Sequence, residues 1–263
     1  MSLRRKVSQF GRRFGLSITF AKSSEEMNHY RENLERCIRK YEFLMRLQSN
    51  PKFEKAIDAC NYSQSQLGAD IFVLDFLNFK EGGFFIECGA GDGFHLSNTL
   101  LLEKRFGWEG ILVEPNKHFH STIKNGREAL FEERLLSSES GHLVEFSELE
   151  VGELSGVTKN LGGDSKYEKS RYLVESISLK DLLLLHHAPA VIDYFSLDVE
   201  GHEYEILKNF DFSAFRFRVI SIEHNFSESR ALIYDLLVSN GYKRVFENLT
   251  SFDDFYIDAE MSL

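Results

Sequence analysis

The stretch FFIECGAGDG, residues 84–93, places an apolar run around one carboxylate and follows it with three glycines at every second position. The run has the length and the side chains of a buried β-strand. Because glycine lacks a Cβ and tolerates positive φ, Gly89, Gly91 and Gly93 predict a tight loop whose backbone approaches a ligand closely. The stretch therefore predicts a strand that ends in a binding loop.

Strand-like and helix-like runs alternate from this stretch to the C-terminus. The strand-like runs occupy residues 84–88, 110–115, 142–146, 193–199, 219–224 and 254–258. The helix-like runs lie between most of them, at residues 97–106, 117–130, 177–185, 204–210 and 229–240. This alternation predicts an α/β fold, with a mostly parallel sheet that carries helices on both faces.

One segment, residues 147–172, shows neither pattern. It is rich in glycine, serine and charged side chains. Loops of this length are uncommon unless they have a function. We expect a long loop or a mobile lid next to a site.

The N-terminal region differs from the rest of the chain. Residues 1–22 contain six basic residues and no acidic one, whereas the full 263-residue chain has a net charge of -10. An acidic body disfavours nucleic-acid binding. The apolar side chains within residues 3–16 share one helical face, which suits either peripheral contact with an anionic membrane or a solvated arm. A helical period continues over residues 24–48, so we expect a helical extension at residues 1–60 and one α/β domain at residues 61–263.

The composition favours a cytoplasmic location. The longest apolar runs are far shorter than the ~20 residues of a membrane-spanning helix. The three cysteines, Cys37, Cys60 and Cys88, show no C-x-x-C spacing, so a zinc or redox site is not expected. We expect a cytoplasmic protein whose membrane contact, if it has any, is peripheral.

The glycine pattern departs from the dinucleotide fingerprint. In G-x-G-x-x-G, counted from Gly89 and Gly91, Phe94 stands where the third glycine belongs. Glu87, two residues before the first glycine, repels a pyrophosphate but suits a cationic group such as a sulfonium or an ammonium. The loop therefore favours a positively charged cofactor over NAD.

A second acid, Glu114, follows the next strand-like run. An acid at the tip of the second strand can accept both hydroxyls of a ribose. An amino acid joined to a nucleoside, with a cationic centre, describes S-adenosylmethionine, with Glu87 near its methionine end and Glu114 on its ribose. The alternative is that the glycines only form a turn and that Glu114 is a solvated strand end.

The sequence DVEGHE, residues 198–203, follows another apolar run and is expected at the same edge of the sheet. Methyl transfer from a sulfonium is an in-line displacement, so the enzyme must align an acceptor oxygen and take its proton. We expect Asp198 on the acceptor side, with Glu200 shaping the site. His202 or His224 is the candidate base, although either histidine also suits an ordinary structural role.

Oxygen ligands also gather at this edge. Asp198, Glu223 and Asn225 follow two neighbouring strand-like runs, and together they suit Mg²⁺. Carboxylates at strand tips often orient a substrate instead, so a divalent metal is an alternative that we do not favour.

These segments resemble the FkbM family of class I S-adenosylmethionine-dependent methyltransferases. The resemblance runs from about Gln66 to the C-terminus and rests, in order, on QLGADIFVL, GGFFIECGAGDG, GILVEPN, LLSSESG, IDYFSLDVEGHEYEIL, VISIEHN and DDFYI. It implies a Rossmann-like, seven-stranded sheet whose last strand is antiparallel. It also implies a cofactor site made by Gln66, Asp70, Glu87, Gly89, Ala90, Gly91, Gly93, Glu114 and Ser137.

Two positions depart from the family pattern. Family members often read S-D-x-x-G after the third strand, where this chain has Ser137 followed by Ser138, so the adenine contacts stay open. They often carry lysine two residues before the Asp of D-V-E-G, where this chain has Ser196.

The resemblance implies methyl transfer to a hydroxyl of a sugar, a glycolipid or a secondary metabolite. We therefore expect an O-methyltransferase with a small-molecule, glycan or glycolipid acceptor and no nucleic-acid partner. The alternative function is a non-catalytic module that holds a nucleoside or a partner on the same fold. Acceptor-dependent release of S-adenosylhomocysteine separates the two.

Overall fold

The computed structural model describes residues 52–161, 166–247 and 252–260, together with three helical positions, Ile38, Glu42 and Met45. The chain divides into two compact units, residues 1–38 and 39–263, and every element named below belongs to the second. The basic segment, the membrane contact through residues 3–16 and most of the helix at 24–48 fall outside the described residues. These features and the domain boundary at residue 60 stay predictions.

Helices and strands alternate between residues 52 and 260. The α-helices are α1 (Phe53–Tyr62), α2 (Ala69–Phe76), α3 (Leu100–Phe106), α4 (His120–Gly126), α5 (Leu179–Leu185), α6 (Glu203–Leu207) and α7 (Ser229–Ser239). The strands are β1 (Phe84–Cys88), β2 (Glu109–Val113), β3 (Leu130–Glu132), β4 (Leu135–Ser137), β5 (Leu143–Leu149), β6 (Gly156–Val157), β7 (Glu168–Ser178), β8 (Val191–Leu197), β9 (Arg216–Glu223), β10 (Tyr242–Val245) and β11 (Asp253–Asp258). Each predicted run corresponds to one of these elements, with its ends shifted by a few residues.

Seven strands form the main sheet, in the order β10-β11-β9-β8-β1-β2-β3. The neighbours from β9 to β3 pair in parallel, whereas β11 is antiparallel to both β9 and β10. The α/β fold, the seven strands and the antiparallel last strand agree with the expectation, but the sheet is mixed. The physical reason is that β11 follows β10 through a short connection, which returns the chain antiparallel.

Side chains of the main sheet alternate between two apolar layers. Phe85 packs with side chains of α1 to α4, and the next residue, Ile86, packs with side chains of α5 to α7. This alternation follows from the two-residue period of a strand. The expected helices on both faces are therefore present.

A second sheet of four strands has the order β4-β7-β5-β6, and its longest pairing, β5 with β7, is antiparallel. The predicted strand at 142–146 belongs to this sheet rather than to the main one. The expectation of a long loop at 147–172 is wrong, because most of the segment is β-structure or short 3-10 turns. An antiparallel sheet with one wet face takes polar and charged side chains, and these concealed the strands in the sequence.

The described helices are all too short or too polar to cross a bilayer. Cys60 and Cys88 are buried. Cys37 lies outside the described residues.

Candidate active site

One row of residues crosses the carboxyl edge of the main sheet. Cys88 pairs with both Val113 and Leu197, and Leu197 pairs with Ile222. The residues that follow these four are Gly89, Glu114, Asp198 and Glu223. Glu223 pairs with Asp253, the first residue of β11. The row therefore consists of Glu114, Gly89, Asp198, Glu223 and Asp253. Residues opposite one another in a sheet share a face, so the row points to one side. We call its four carboxylates, Glu114, Asp198, Glu223 and Asp253, the acid row.

Gly89 occupies the one position of the row that has no side chain. A Cβ at Gly89 would lie 1.7 Å from the main-chain oxygen of Asp198, so no other residue fits between β1 and β8. Gly89, Gly91 and Gly93 have φ values of 78°, 54° and 82°. The main-chain N–H groups of Gly89 and buried Ala90 donate to the oxygen of Val113 at 3.0 and 3.3 Å. The tight loop expected from the glycines is present, and its contact with a cofactor stays a prediction.

Glu87, in β1, holds residues 97–99 against the strand through hydrogen bonds. Its Oε1 accepts from the main-chain N–H of Asn98 at 2.6 Å, and its Oε2 accepts from Ser97 Oγ at 2.9 Å and Thr99 Oγ1 at 2.5 Å. Burial raises the pKa of Glu87, and the nearby charge of Arg127 opposes the rise. Glu87 also lines the cavity described below. Its expected contact with the cationic end of a cofactor stays a prediction.

Arg127 is a buried cation that the sequence does not reveal. Its side chain is 0% exposed, and its Nη1 lies 4.0 Å from Oε2 of Glu87. The guanidinium donates to the oxygen of Gly93 at 2.5 Å, to Thr99 Oγ1 at 3.0 Å and to Glu103 Oε2 at 3.0 Å. It therefore joins the glycine loop to the start of α3. These partners are spread along the chain, so no local motif marks this arginine.

Glu114 points into the glycine loop. Its Oε2 accepts from the main-chain N–H of Gly91 at 2.8 Å, and its Oε1 accepts from that of Asn116 at 2.7 Å. Burial raises the pKa of Glu114 to about 8, aided by the charges of Asp198 and Glu153 and opposed by the two hydrogen bonds. An acid in this state takes up or releases a proton near neutral pH.

A cavity of about 310 Å³ opens along this edge. The second sheet closes it on the far side with residues 152–157. Its acidic wall residues are Glu87, Glu114, Glu153, Asp198, Glu200, Glu223 and Asp253, and its larger apolar ones include Leu67, Leu96, Leu135, Leu136, Phe146, Leu154, Val157 and Phe252. In the described part of the chain, no lysine or arginine lines it. The cavity therefore favours a cationic or neutral ligand over an anionic one.

Asp198 and Glu223 form the centre of the acid row. Burial raises the pKa of both, and the charges of Asp198 and Glu200 raise that of Glu223 further. One oxygen each of Asp198, Glu200 and Glu223 lies within 4.8 Å of the others. Of the three metal ligands considered from the sequence, Asp198 and Glu223 lie together. The third position in the cluster is taken by Glu200 and not by Asn225. Asn225 lines the cavity, but it is an exposed residue beyond the cluster.

The two candidate histidines occupy different places. His202 lines the cavity, but its Nε2 lies 3.1 Å from Ser137 Oγ and its Nδ1 lies 3.3 Å from Asn160 Nδ2. Burial lowers the pKa of His202 to about 4, so the ring is neutral with both nitrogens engaged. His224 is not part of the cavity wall, and its Nδ1 accepts from the main-chain N–H of Phe226 at 2.9 Å. Neither geometry suits a proton acceptor for a ligand.

Of three further residues expected at the cofactor site, one lines the cavity and two do not. Gln66 lines the cavity, whereas Asp70 and Ser137 do not. Asp70 is 0% exposed, and its Oδ1 accepts from Ser63 Oγ at 2.8 Å. Asp70 therefore lies inside the protein at the start of α2.

Asp253 is a site residue that the sequence pattern did not reveal. An antiparallel strand begins at the edge where its parallel neighbours end, so the first residue of β11 belongs to the row. The acid pair at the start of DDFYI was the signal. Asn98 was also missed: its Nδ2 donates to Ser196 Oγ at 3.0 Å beside the cavity.

Comparisons with known proteins add a family to this geometry. The family model described as the methyltransferase FkbM domain matches residues 87–244. No curated protein matches the sequence. Among solved structures, the chain is similar to methyltransferase FkbM from Methylobacillus flagellatus KT, with a TM-score of 0.46 and 12% identity over 96% of this chain and 70% of that one.

Two other solved structures are similar over a smaller share of the chain. Precorrin-6y C5,15-methyltransferase from Geobacter metallireducens GS-15 has a TM-score of 0.38 and 11% identity, over 72% of this chain and 86% of that one. The METTL16 MTase domain has a TM-score of 0.42 and 14% identity, over 74% of this chain and 68% of that one.

Proposed function

The chain belongs to the FkbM methyltransferase family, and from that premise we propose that it transfers a methyl group from S-adenosylmethionine to a hydroxyl of a sugar, a glycolipid or a secondary metabolite. The observation that carries the proposal is the order of the acid row. Glu114 lies on one side of Gly89, and Asp198, Glu223 and Asp253 lie on the other. One cavity therefore offers acceptors for a ribose diol and, across a bare backbone, an acceptor for a proton.

S-adenosylmethionine suits the Glu114 side of the cavity. Gly91 and Asn116 each use one lone pair of the Glu114 carboxylate, and each oxygen keeps another for a ribose hydroxyl. The sulfonium is attracted by the acidic wall, because opposite charges attract strongly where water is excluded. The apolar wall residues Leu135, Leu136 and Phe146 offer a surface for the adenine.

The acceptor is assigned to the Asp198 side. In the reaction, the acceptor oxygen bonds to the methyl carbon while the bond from that carbon to sulfur breaks. The electron pair of the broken bond stays on sulfur, which gives S-adenosylhomocysteine, and the hydroxyl proton passes to Asp198. Asp198 suits this role by its position in the cavity wall, whereas His202 has both ring nitrogens engaged.

The charge of the cavity supports a neutral acceptor. Seven carboxylates and no lysine or arginine of the described residues form its wall. A phosphate or carboxylate on the acceptor close to the reacting hydroxyl is repelled there. Uncharged sugars and polyols donate hydrogen bonds that the carboxylates accept.

Calorimetry with S-adenosylmethionine and S-adenosylhomocysteine tests the cofactor. A panel of neutral oligosaccharides, glycolipids and polyhydroxylated metabolites, followed by S-adenosylhomocysteine release, tests the reaction. We expect cofactor binding and release that depends on an acceptor, and an Asp198→Asn variant that binds cofactor without release. A protein that binds neither compound contradicts the proposal. Binding without release across the panel favours the non-catalytic module.

A further inference from the structure

We propose that Asp198, Glu200 and Glu223 hold one divalent cation that prefers oxygen ligands, such as Mg²⁺, Mn²⁺ or Ca²⁺, at the acceptor end of the cavity. The site stands on the geometry of the sheet edge alone. Its part in methyl transfer rests on the proposed function.

The spacing of the three carboxylates fits a single ion. One oxygen from each lies within 4.8 Å of the other two. Oxygens on opposite sides of Ca²⁺ are about 4.6–5.2 Å apart, and those on opposite sides of Mg²⁺ are about 4.0–4.2 Å apart. Separations within 4.8 Å are therefore compatible with one Ca²⁺, whereas Mg²⁺ or Mn²⁺ needs its ligand oxygens within about 4.2 Å of one another.

The turn after β8 fixes the third ligand. Glu200 has a φ of 54° and Gly201 a φ of 87°. The main-chain N–H groups of Val199 and Gly201 both donate to Oε1 of Glu203, each at 3.1 Å. This turn brings Glu200 back beside Asp198 instead of letting the chain continue away from the sheet.

Two buried oxygens at the same place independently point to a ligand. Glu223 and Asp253 are 8% and 9% exposed. Oε2 of Glu223 and Oδ1 of Asp253 have no hydrogen-bond partner among the described residues, and both residues line the cavity. Native proteins seldom leave such atoms without a partner. A bound cation would be a ligand partner for Glu223 and would place positive charge beside Asp253.

The local charge also calls for a cation. Three carboxylates, those of Asp198, Glu223 and Asp253, lie together in a wall to which the described residues contribute no lysine or arginine. Of the two histidines in the wall, His202 has its ring nitrogens beside Ser137 and Asn160, and Nδ1 of His95 lies 3.7 Å from Oε1 of Glu153. Buried charges are normally paired or bound to metal. A proton shared between Asp198 and Glu223 is the competing way to reduce the charge.

In methyl transfer, the cation gives the acceptor oxygen a coordination position and makes its hydroxyl more acidic. Asp198 binds the ion through one oxygen and receives the hydroxyl proton on the other. This arrangement orients the acceptor beside the methyl group without the help of a lysine, an arginine or a histidine.

The test is binding of Mn²⁺ to the full chain after treatment with EDTA and dialysis. Free Mn²⁺ is measured by electron paramagnetic resonance, and Mg²⁺ and Ca²⁺ are then added as competitors. We expect one Mn²⁺ per chain and at least about tenfold weaker binding in Glu223→Gln and Asp198→Asn. Glu175→Gln is the matched control, because Glu175 is exposed on the second sheet, and it keeps the affinity of the wild type.

S-adenosylhomocysteine binding is measured on each variant to show that it is folded. If Glu223→Gln does not fold, Glu200→Gln, which lies in a partly exposed turn, replaces it. Absence of Mn²⁺ binding up to about 1 mM in wild type that binds S-adenosylhomocysteine overturns the cation site. Unchanged Mn²⁺ affinity in the ligand variants overturns it too. Mn²⁺ binding that depends on these carboxylates, in a protein that binds no S-adenosylhomocysteine, supports the site and contradicts only the proposed function.

Discussion

The main-chain N–H of Gly91 donates a hydrogen bond to Oε2 of Glu114 at 2.8 Å, across 23 residues of sequence. The loop after β1 and the acid after β2 are therefore one structural unit. Because Asn116 holds the other oxygen at 2.7 Å, the carboxyl plane is fixed from both sides. Its remaining lone pairs are oriented before a ligand binds.

The first prediction concerns the pH dependence of nucleoside binding. The pKa of Glu114 is raised to about 8 by burial, with Asp198 and Glu153 as the charged groups that raise it further. Ribose hydroxyls need the ionised form, so affinity rises with pH. For 5′-deoxy-5′-methylthioadenosine, which lacks an amino-acid part that titrates, calorimetry should show about tenfold tighter binding at pH 9 than at pH 7.

The control for this prediction is Glu114→Gln, which should flatten the profile. The same raised pKa makes the free energy of unfolding of the ligand-free protein depend on pH. The stabilising contribution of Glu114 is full below the pKa that it has in the unfolded chain. It is lost as the pH rises toward the folded-state pKa of about 8. A wild-type affinity that does not change between pH 7 and 9 contradicts the assignment of Glu114 to the diol.

The second prediction concerns Gly89. In Gly89→Ala, the new Cβ meets the main-chain oxygen of Asp198 at 1.7 Å, so β1 and β8 must separate. We expect the free energy of unfolding in urea to fall by about 3 kcal/mol or more. Gly82→Ala is the matched control, because Gly82 also has positive φ but no atom lies within 4 Å of the place that its new methyl group would take; it should lose only about 1 kcal/mol. Equal losses in the two variants would refute the role of the close approach.

The third prediction concerns Arg127. Arg127→Met leaves the buried carboxylate of Glu87 without its nearby cation and removes one of the two cations beside Glu103, which keeps Lys104 at 2.9 Å. We expect a loss of about 3–5 kcal/mol in the free energy of unfolding, and weaker S-adenosylhomocysteine binding because the glycine loop loses its tie. Arg171→Met, on the exposed face of β7, should cost less than about 1 kcal/mol. Urea unfolding of both variants tests this prediction. Similar losses in the free energy of unfolding would show that Arg127 stabilises the fold no more than an exposed arginine does.

The fourth prediction separates Asp198 from His224. Once an acceptor is known, Asp198→Asn should lower turnover at least about 100-fold while S-adenosylmethionine affinity stays close to that of the wild type. His224→Asn, whose side-chain oxygen can still accept from Phe226, should keep most of the turnover. Steady-state kinetics on both variants make the comparison. Loss of turnover in His224→Asn alone would return the histidine to the reaction.

The sequence predicted which residues lie together at the carboxyl edge of the main sheet, because parallel strands end at the same edge. That rule alone assembled Gly89, Glu114, Asp198 and Glu223. It failed for Asp253, which begins an antiparallel strand instead of ending a parallel one. It also did not separate Glu223, which lines the cavity, from His224, which does not, because successive residues along a strand point to opposite faces.

The remaining errors arose where contacts are distant or strands are wet. Arg127 has partners from Gly93 to Glu103, and no spacing in the sequence connects them. The strands of the second sheet bury only one face, so their charged side chains resembled a loop. Side-chain direction within a loop, which separates Gln66 from Asp70, also leaves no periodic signal.

The second sheet enters the chain as one continuous piece between β3 and β8, whereas every member of the acid row comes from the main sheet. The piece contributes residues 152–157, with Leu135, Leu136 and Phe146, to the cavity, and its described strands do not pair with the main sheet. Because the two sheets do not share a strand, we expect the register of the acid row to tolerate changes in this piece. In the proposed enzyme, evolution can thus exchange one acceptor for another by changing residues 152–157, while Leu135, Leu136 and Phe146 of the same piece are kept for the adenine.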